Sequence, residues 1–231
     1  MDFYDIHTHD APTPSDEGEQ SHPYVLNVYP LGFEDAKDSL LGCCFSCGVH
    51  PWYSENADPQ LKFLEEIASD NRIIAIGEIG YDRLKGPDMK VQRYVFEKQI
   101  ELAERLKKPV IIHCVKAWEE LLASYKKFNP KQPWIIHGYR GKPELTQQLL
   151  SHGFIFSIGE KFNKDSVSEI PSDFLFCETD VYDTDIVTVY KNLAEALDIS
   201  LEDLAGKIEN NVAKIFPQLI SANISEMHKF A

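Results

Sequence analysis

Eight short apolar runs are spaced along the chain, at 3–9, 24–29, 43–49, 73–79, 110–114, 134–138, 154–158 and 174–177. They are rich in β-branched and aromatic residues and show no strict alternation of polar with apolar positions. Strands covered on both faces read this way, because neither face meets water. Several stretches between them carry a helical period. In 89–107, Val91, Val95, Leu102 and Leu106 recur at spacings that keep to one side of a helix. The stretch 58–70 opens with Asp58 and Pro59, a cap and first-turn pair, and continues with Leu61, Leu64, Ile67 and Ala68. The stretch 143–152 opens with Pro143 and stops at Gly153. Eight strands alternating with helices predict an α/β fold, a closed TIM-like (β/α) barrel. One stretch departs from the alternation. Residues 10–23 hold three prolines, several acids and no apolar period, so the first barrel helix is expected to be missing or shortened. No linker divides the chain, and a single domain, 1–231, is expected.

Composition narrows the function classes. With 23 basic and 37 acidic residues the net charge is −14. That argues against broad electrostatic adhesion to nucleic acid, yet leaves room for a small pocket whose charge comes from bound cations. No apolar run reaches the ~18 residues that span a membrane, and the opening Met-Asp-Phe-Tyr-Asp has no basic region or signal core. A cytoplasmic protein is expected, with no membrane and no obligate protein partner. Five cysteines then read as reduced thiols. Cys44 and Cys47 have the spacing of a redox or zinc pair, but they lie inside an apolar run, which favours core packing.

The chemistry lies at the ends of the runs. His7 and His9 close the first and, being two apart on a strand, point the same way. Glu78 lies near the end of the fourth run, His113 of the fifth and His137 of the sixth, and Asp180 follows the eighth. In a parallel barrel these strand ends meet at one mouth, where barrel active sites are built. A strand histidine taken alone is most simply a satisfied core residue. Four imidazoles and two carboxylates at five such ends instead suit one or two divalent cations. Imidazoles favour Zn²⁺ or Mn²⁺, and phosphoryl chemistry commonly uses Mg²⁺ or Mn²⁺.

Asp5-Ile-His-Thr-His9, Gly48-Val-His-Pro51, Ile76-Gly-Glu-Ile-Gly-Tyr-Asp82, Pro109-Val-Ile-Ile-His113, His137-Gly-Tyr-Arg-Gly141 and Glu178-Thr-Asp180 occur in an order that resembles the TatD family of metal-dependent deoxyribonucleases, within the amidohydrolase superfamily. Gln92-Arg-Tyr-Val-Phe-Glu97 and Asn211-Val-Ala-Lys-Ile-Phe216 resemble further family segments. The resemblance implies a TIM-like barrel and phosphodiester hydrolysis by a metal-activated water, as in DNA exonuclease action. It implies that His7, His9, Glu78, His113, His137 and Asp180 are the metal ligands, with Glu78 bridging and Asp180 also acting as general base. Departures fall around the mouth. Val115 stands where the family has a basic residue, with Lys116 next to it, and Val181-Tyr-Asp-Thr-Asp185 follows Glu178-Thr-Asp180. These motivate a second reading, an amidohydrolase-type enzyme for a small ester, lactone, amide or phosphoester. His50, Lys116 and Arg140 are the candidates for holding substrate, whether DNA or a small phosphoester. Trp52, Tyr53 and Tyr139 are candidates for stacking on a base. Asp82 is a candidate partner for a ligand, or a helix cap.

Overall fold

The computed structural model describes residues 1–11 and 22–221. Most of 10–23, where the first barrel helix is expected to be missing or shortened, lies outside them. The eight apolar runs all contain strands: β1 (Asp5–Thr8), β2 (Tyr24–Val28), β3 (Cys44–Cys47), β4 (Ile73–Asp82), β5 (Val110–Val115), β6 (Trp134–Ile136), β7 (Ile155–Ile158) and β8 (Leu175–Cys177). Their order in the sheet is their order in the sequence. Among the described residues the helices are α1 (Phe33–Ser39), α2 (Asp58–Ile67), α3 (Met89–Leu106), α4 (Trp118–Phe128), α5 (Pro143–Leu150), α6 (Lys164–Val167), α7 (Ile186–Leu197) and α8 (Leu201–Ile215). No helix of the described residues is long and apolar enough to cross a membrane. The residues group into two compact units.

The first unit comprises Met1–Leu26, Gly42–Cys44 and His137–Ala231. In it β1 pairs parallel with β2, and β7 with β8. A parallel bridge from Thr8 to Asp180 ties the end of β1 to the segment after β8. α8 buries Leu204, Ala205, Ile208 and Val212 on one stripe and is capped by Ser200, whose hydroxyl accepts from the Asp203 amide. Asn211 lies on the same buried stripe. Its amide donates to the carbonyls of Ser172 (2.7 Å) and Leu175 (2.9 Å), fixing the entry to β8.

The second unit comprises Asn27–Leu41 and Phe45–Ile136. β3, β4, β5 and β6 pair parallel in that order. All ten residues of β4 are buried, as a strand covered on both faces must be. α3 packs on β4, starts at the Asp88 cap and ends at Lys107 in the left-handed region. Its buried stripe keeps Val95 and Leu102 of the four residues the period predicts and departs at the other two. Val91 and Leu106 are only half-buried, while Gln92 and Gln99 are 1% exposed. The reason is hydrogen bonding. Gln99 accepts from the Val49 amide (2.7 Å) and donates to the Val49 carbonyl (3.1 Å). Gln92 accepts from the Asp82 amide (2.8 Å) and donates to the Asp82 carbonyl (2.9 Å). Two buried amides thus replace the backbone partners that the loops after β3 and β4 lack. Asp58 is the first residue of α2, and the cap position falls on Ala57 without a side-chain bond.

Cys44 and Cys47 are both buried in β3. Burial pushes the Cys47 thiol well up, so it is a poor thiolate and behaves as core.

Candidate functional site

In the first unit the site grows from the end of β1. His7 is fully buried and His9 is 23% exposed. Their rings lie 5.1 Å apart, edge to face. The turn after β8 reaches them through backbone bonds. The Asp180 amide donates to the His7 carbonyl (2.9 Å) and the His9 amide donates to the Asp180 carbonyl (3.1 Å). Asp180 takes φ 56°, a region that Asp tolerates better than most residues. This holds its Oδ1 at 3.7 Å from His7 Nε2 and 3.5 Å from His9 Nε2. His137 follows β6, its ring 4.5 Å from that of His7. One ligand atom from each of His7, His137 and Asp180 lies within 4.8 Å of the others. That set of two imidazoles and a carboxylate fits a divalent cation.

Two further carboxylates brace this cluster. Asp5 accepts from the Thr179 hydroxyl (2.6 Å) and amide (3.2 Å) and from the His7 amide (3.1 Å), so it ties β1 to the Asp180 turn. Burial lifts its carboxyl to about 7 against the pull of those donors. Glu178 is fully buried. Its Oε1 accepts from the Gly138 amide (2.5 Å) and lies 3.4 Å from His137 Nδ1. Its Oε2 has no hydrogen-bond partner among the described residues. The sequence places Glu178 in a motif without giving it a role. Its burial and its contact with His137 are what single it out.

In the second unit the centre is Glu78, buried in β4. Its amide donates to Asn27 Oδ1 (2.7 Å), which also accepts from the Ser46 hydroxyl (3.0 Å). Glu78 Oε1 lies 3.1 Å from His50 Nε2 and 2.7 Å from His113 Nδ1. His50 Nδ1 accepts from the Trp52 amide (3.2 Å), so its proton is on Nε2, facing the carboxylate. Asp82 holds the other side of His113, with Oδ2 3.2 Å from Nε2. The same oxygen accepts from the Trp52 indole (2.6 Å). Oδ1 accepts from the amides of Leu84 (2.8 Å) and Lys85 (3.1 Å). Burial opposes ionisation of Asp82, yet the Trp52, Leu84 and His113 contacts outweigh it and hold the carboxyl below its usual range. Asp82 therefore both caps the turn after β4 and partners His113. His50, Glu78 and His113 also bring three ligand atoms within 4.8 Å, again a donor set that fits a divalent cation.

The profile of the family described as TatD related DNase matches residues 33–217. The chain belongs to the TatD family. Among curated relatives, the metal-dependent hydrolase YabD of Bacillus subtilis is 27% identical over 192 residues, 73% of this chain and 75% of that protein. The 3′-5′ ssDNA/RNA exonuclease TatD of Erwinia tasmaniensis is 32% identical over 151 residues, 60% of this chain and 58% of that protein. The chain thus spans 58% to 75% of the length of these two relatives. The crystal structure of the TatD homologue YjjV from Escherichia coli superposes with a TM-score of 0.79 at 22% identity, covering 93% of this chain and 98% of that one. That likeness establishes the TIM-like (β/α) barrel. The TatD profile starts beyond His7 and His9, whereas the fold likeness spans nearly the whole chain.

The remaining candidates are placed as follows. His50 is buried against Glu78. Lys116 is exposed, at φ 51°. Arg140 is exposed and donates to the Tyr182 hydroxyl (2.9 Å), while Lys161 Nζ sits 4.7 Å from the centre of the same ring. Tyr139 is 2% exposed, its hydroxyl bonded to Thr146; buried in this way, it does not serve as a stacking surface.

Proposed function

We propose that the chain is a divalent-cation-dependent phosphodiesterase that shortens DNA from an end. The reading rests on one observation: two sets of imidazole and carboxylate donors at strand ends, partly buried and each brought within 4.8 Å. Membership of the TatD family and the name of the Erwinia relative, an exonuclease, support it. In this reading His7, His9, His137, Asp180, Glu78 and His113 hold one or two cations, Zn²⁺, Mn²⁺ or Mg²⁺. Such a cation, when bound, polarises a phosphoryl oxygen and lowers the pKa of water toward neutrality. Asp180 is the base that takes the proton from the attacking water. Glu78 is held between His50 and His113. Asp82 holds one nitrogen of His113 and so leaves the other to serve as donor. Arg140 and Lys116 supply positive charge for the substrate phosphates. The reading places the chain in the reducing cytoplasm, where its five cysteines stay as thiols.

The test takes one preparation. Bound metal is determined by elemental analysis. End-labelled single-stranded and duplex DNA are then incubated with Mg²⁺, Mn²⁺ or Zn²⁺. The expected result is a ladder growing from one end, abolished by a chelator. Bound metal with inert DNA would overturn the nuclease reading and favour a small phosphoester, lactone or amide. The replacement of the family's basic residue by Val115 is the feature that favours this second reading.

Glu178 gives a separate expectation. Carboxylates behind a ligating histidine raise its basicity and fix its ring, and losing one typically weakens metal affinity roughly 10–100-fold. Glu178→Gln is expected to weaken Mn²⁺ binding in that range by isothermal titration. The metal-free protein should melt close to wild type, because the amide oxygen still accepts from the Gly138 amide. Unchanged Mn²⁺ affinity would remove Glu178 from the site.

A further inference from the structure

We infer that the exposed Tyr53–Tyr29 pair is a nucleobase-stacking platform, with Lys85 as the cation that meets the adjoining phosphate. The inference rests on the nuclease reading and assigns it a subsite in the second unit. Tyr29 follows β2 and is 38% exposed; Tyr53 lies in the helical turn after β3 and is 50% exposed. Large exposed aromatics in contact with one another are a recognition surface more than a packing one. Their rings meet at 5.3 Å and 86°, an edge-to-face arrangement that leaves ring faces open to a third flat group.

The pair is the outer end of a continuous run of rings. Tyr53 lies 6.2 Å from His50, and His50 lies 4.5 Å from His113. Trp52 stands beside both, 4.7 Å from His50 and 5.8 Å from His113. A nucleotide whose phosphate met a cation held by Glu78 and His113 would therefore have its neighbouring base within reach of Tyr53 and Tyr29. Burial first, and then the neighbouring Tyr53 and Glu78, push the Tyr29 hydroxyl up to about 12. At neutral pH it is therefore a hydrogen-bond donor. Lys85 Nζ rests 3.3 Å from the centre of the Trp52 ring. The contact holds a positive head group beside the aromatic run in a chain of net charge −14. Aromatic faces accept any base, so the platform confers a preference for unpaired strands without a preference for sequence.

The test compares a fluorescein-labelled oligothymidylate with the same backbone carrying abasic units. Binding to the full chain is measured by anisotropy in EDTA, and KM and kcat are then measured with Mn²⁺. Wild type is expected to bind the oligothymidylate about tenfold more tightly than the abasic strand. Tyr53→Leu should lose that advantage as a rise in KM with kcat unchanged, Tyr29→Leu should lose part of it, and Tyr53→Phe should retain it. Tyr53→Phe also serves as the folding control. Equal binding of both strands by wild type, or equal weakening of both by Tyr53→Leu, overturns the platform while leaving the nuclease reading intact. A wild type that hydrolyses small phosphoesters but neither binds nor cleaves either strand overturns the nuclease reading, and the platform with it.

Discussion

Replacing Asp180 by Asn lowers kcat for phosphodiester cleavage by about a thousandfold, within the usual range for loss of a positioned proton acceptor, and leaves the fold in place. The conservative change is well suited to the position. Asp180 sits at φ 56°, where Asn is tolerated and Ala is strained. Its backbone bonds to His7 and His9 do not use the side chain and persist. What is lost is the negative charge 3.5 Å from His9 and 3.7 Å from His7, and with it the group that accepts the proton. The check is kcat on an activated phosphodiester beside a melting curve and a circular-dichroism spectrum. Activity near the wild-type level in a folded variant would remove Asp180 as the base.

The second large effect comes from a methyl group. Gly80 lies in β4 directly opposite His113 in β5, at φ 150°. A Cβ built there would fall on the His113 carbonyl oxygen, which belongs to backbone and cannot rotate away. Gly80→Ala therefore combines an unfavourable backbone conformation with overpacking against a paired strand. Together these cost about 4 kcal/mol, expected as a fall in Tm of roughly 10 °C for a chain of this length. Any folded fraction carries His113 displaced from Glu78 and Asp82, so its activity should fall as well. A variant that melts with wild type and keeps its activity would show that the β4–β5 register is looser than described.

The helix periods, by contrast, misassigned part of α3. Val91 and Leu106 fit the apolar stripe, yet Gln92 and Gln99 occupy the buried positions, because their amides serve backbone in loops that the pattern of α3 does not mention. Asp82 and Glu178 show the same limit. Asp82 reads as a ligand's partner or a cap and Glu178 as part of a motif, and only their contacts with His113 and His137 decide their roles. Tyr139 and Tyr53 are both aromatic residues shortly after a strand. One is enclosed and bonded to Thr146, the other stands half in solvent. Nothing local in the sequence separates them.

Sequence by itself determined the eight strands, because a run of residues apolar on both faces has few other places to go. It also named the candidate ligands, since imidazoles and carboxylates at strand ends carry their chemistry in their identity, and the two-residue spacing of His7 and His9 sets their common direction. Tertiary structure decided which groups support those candidates. Glu78 depends on Asn27 and His50, His137 on Glu178, and Asp180 on the strand that carries His7 and His9. Such partners lie tens of residues away along the chain. Periodicity records which face a side chain takes, whereas hydrogen-bond partners and burial are set only when distant segments pack together.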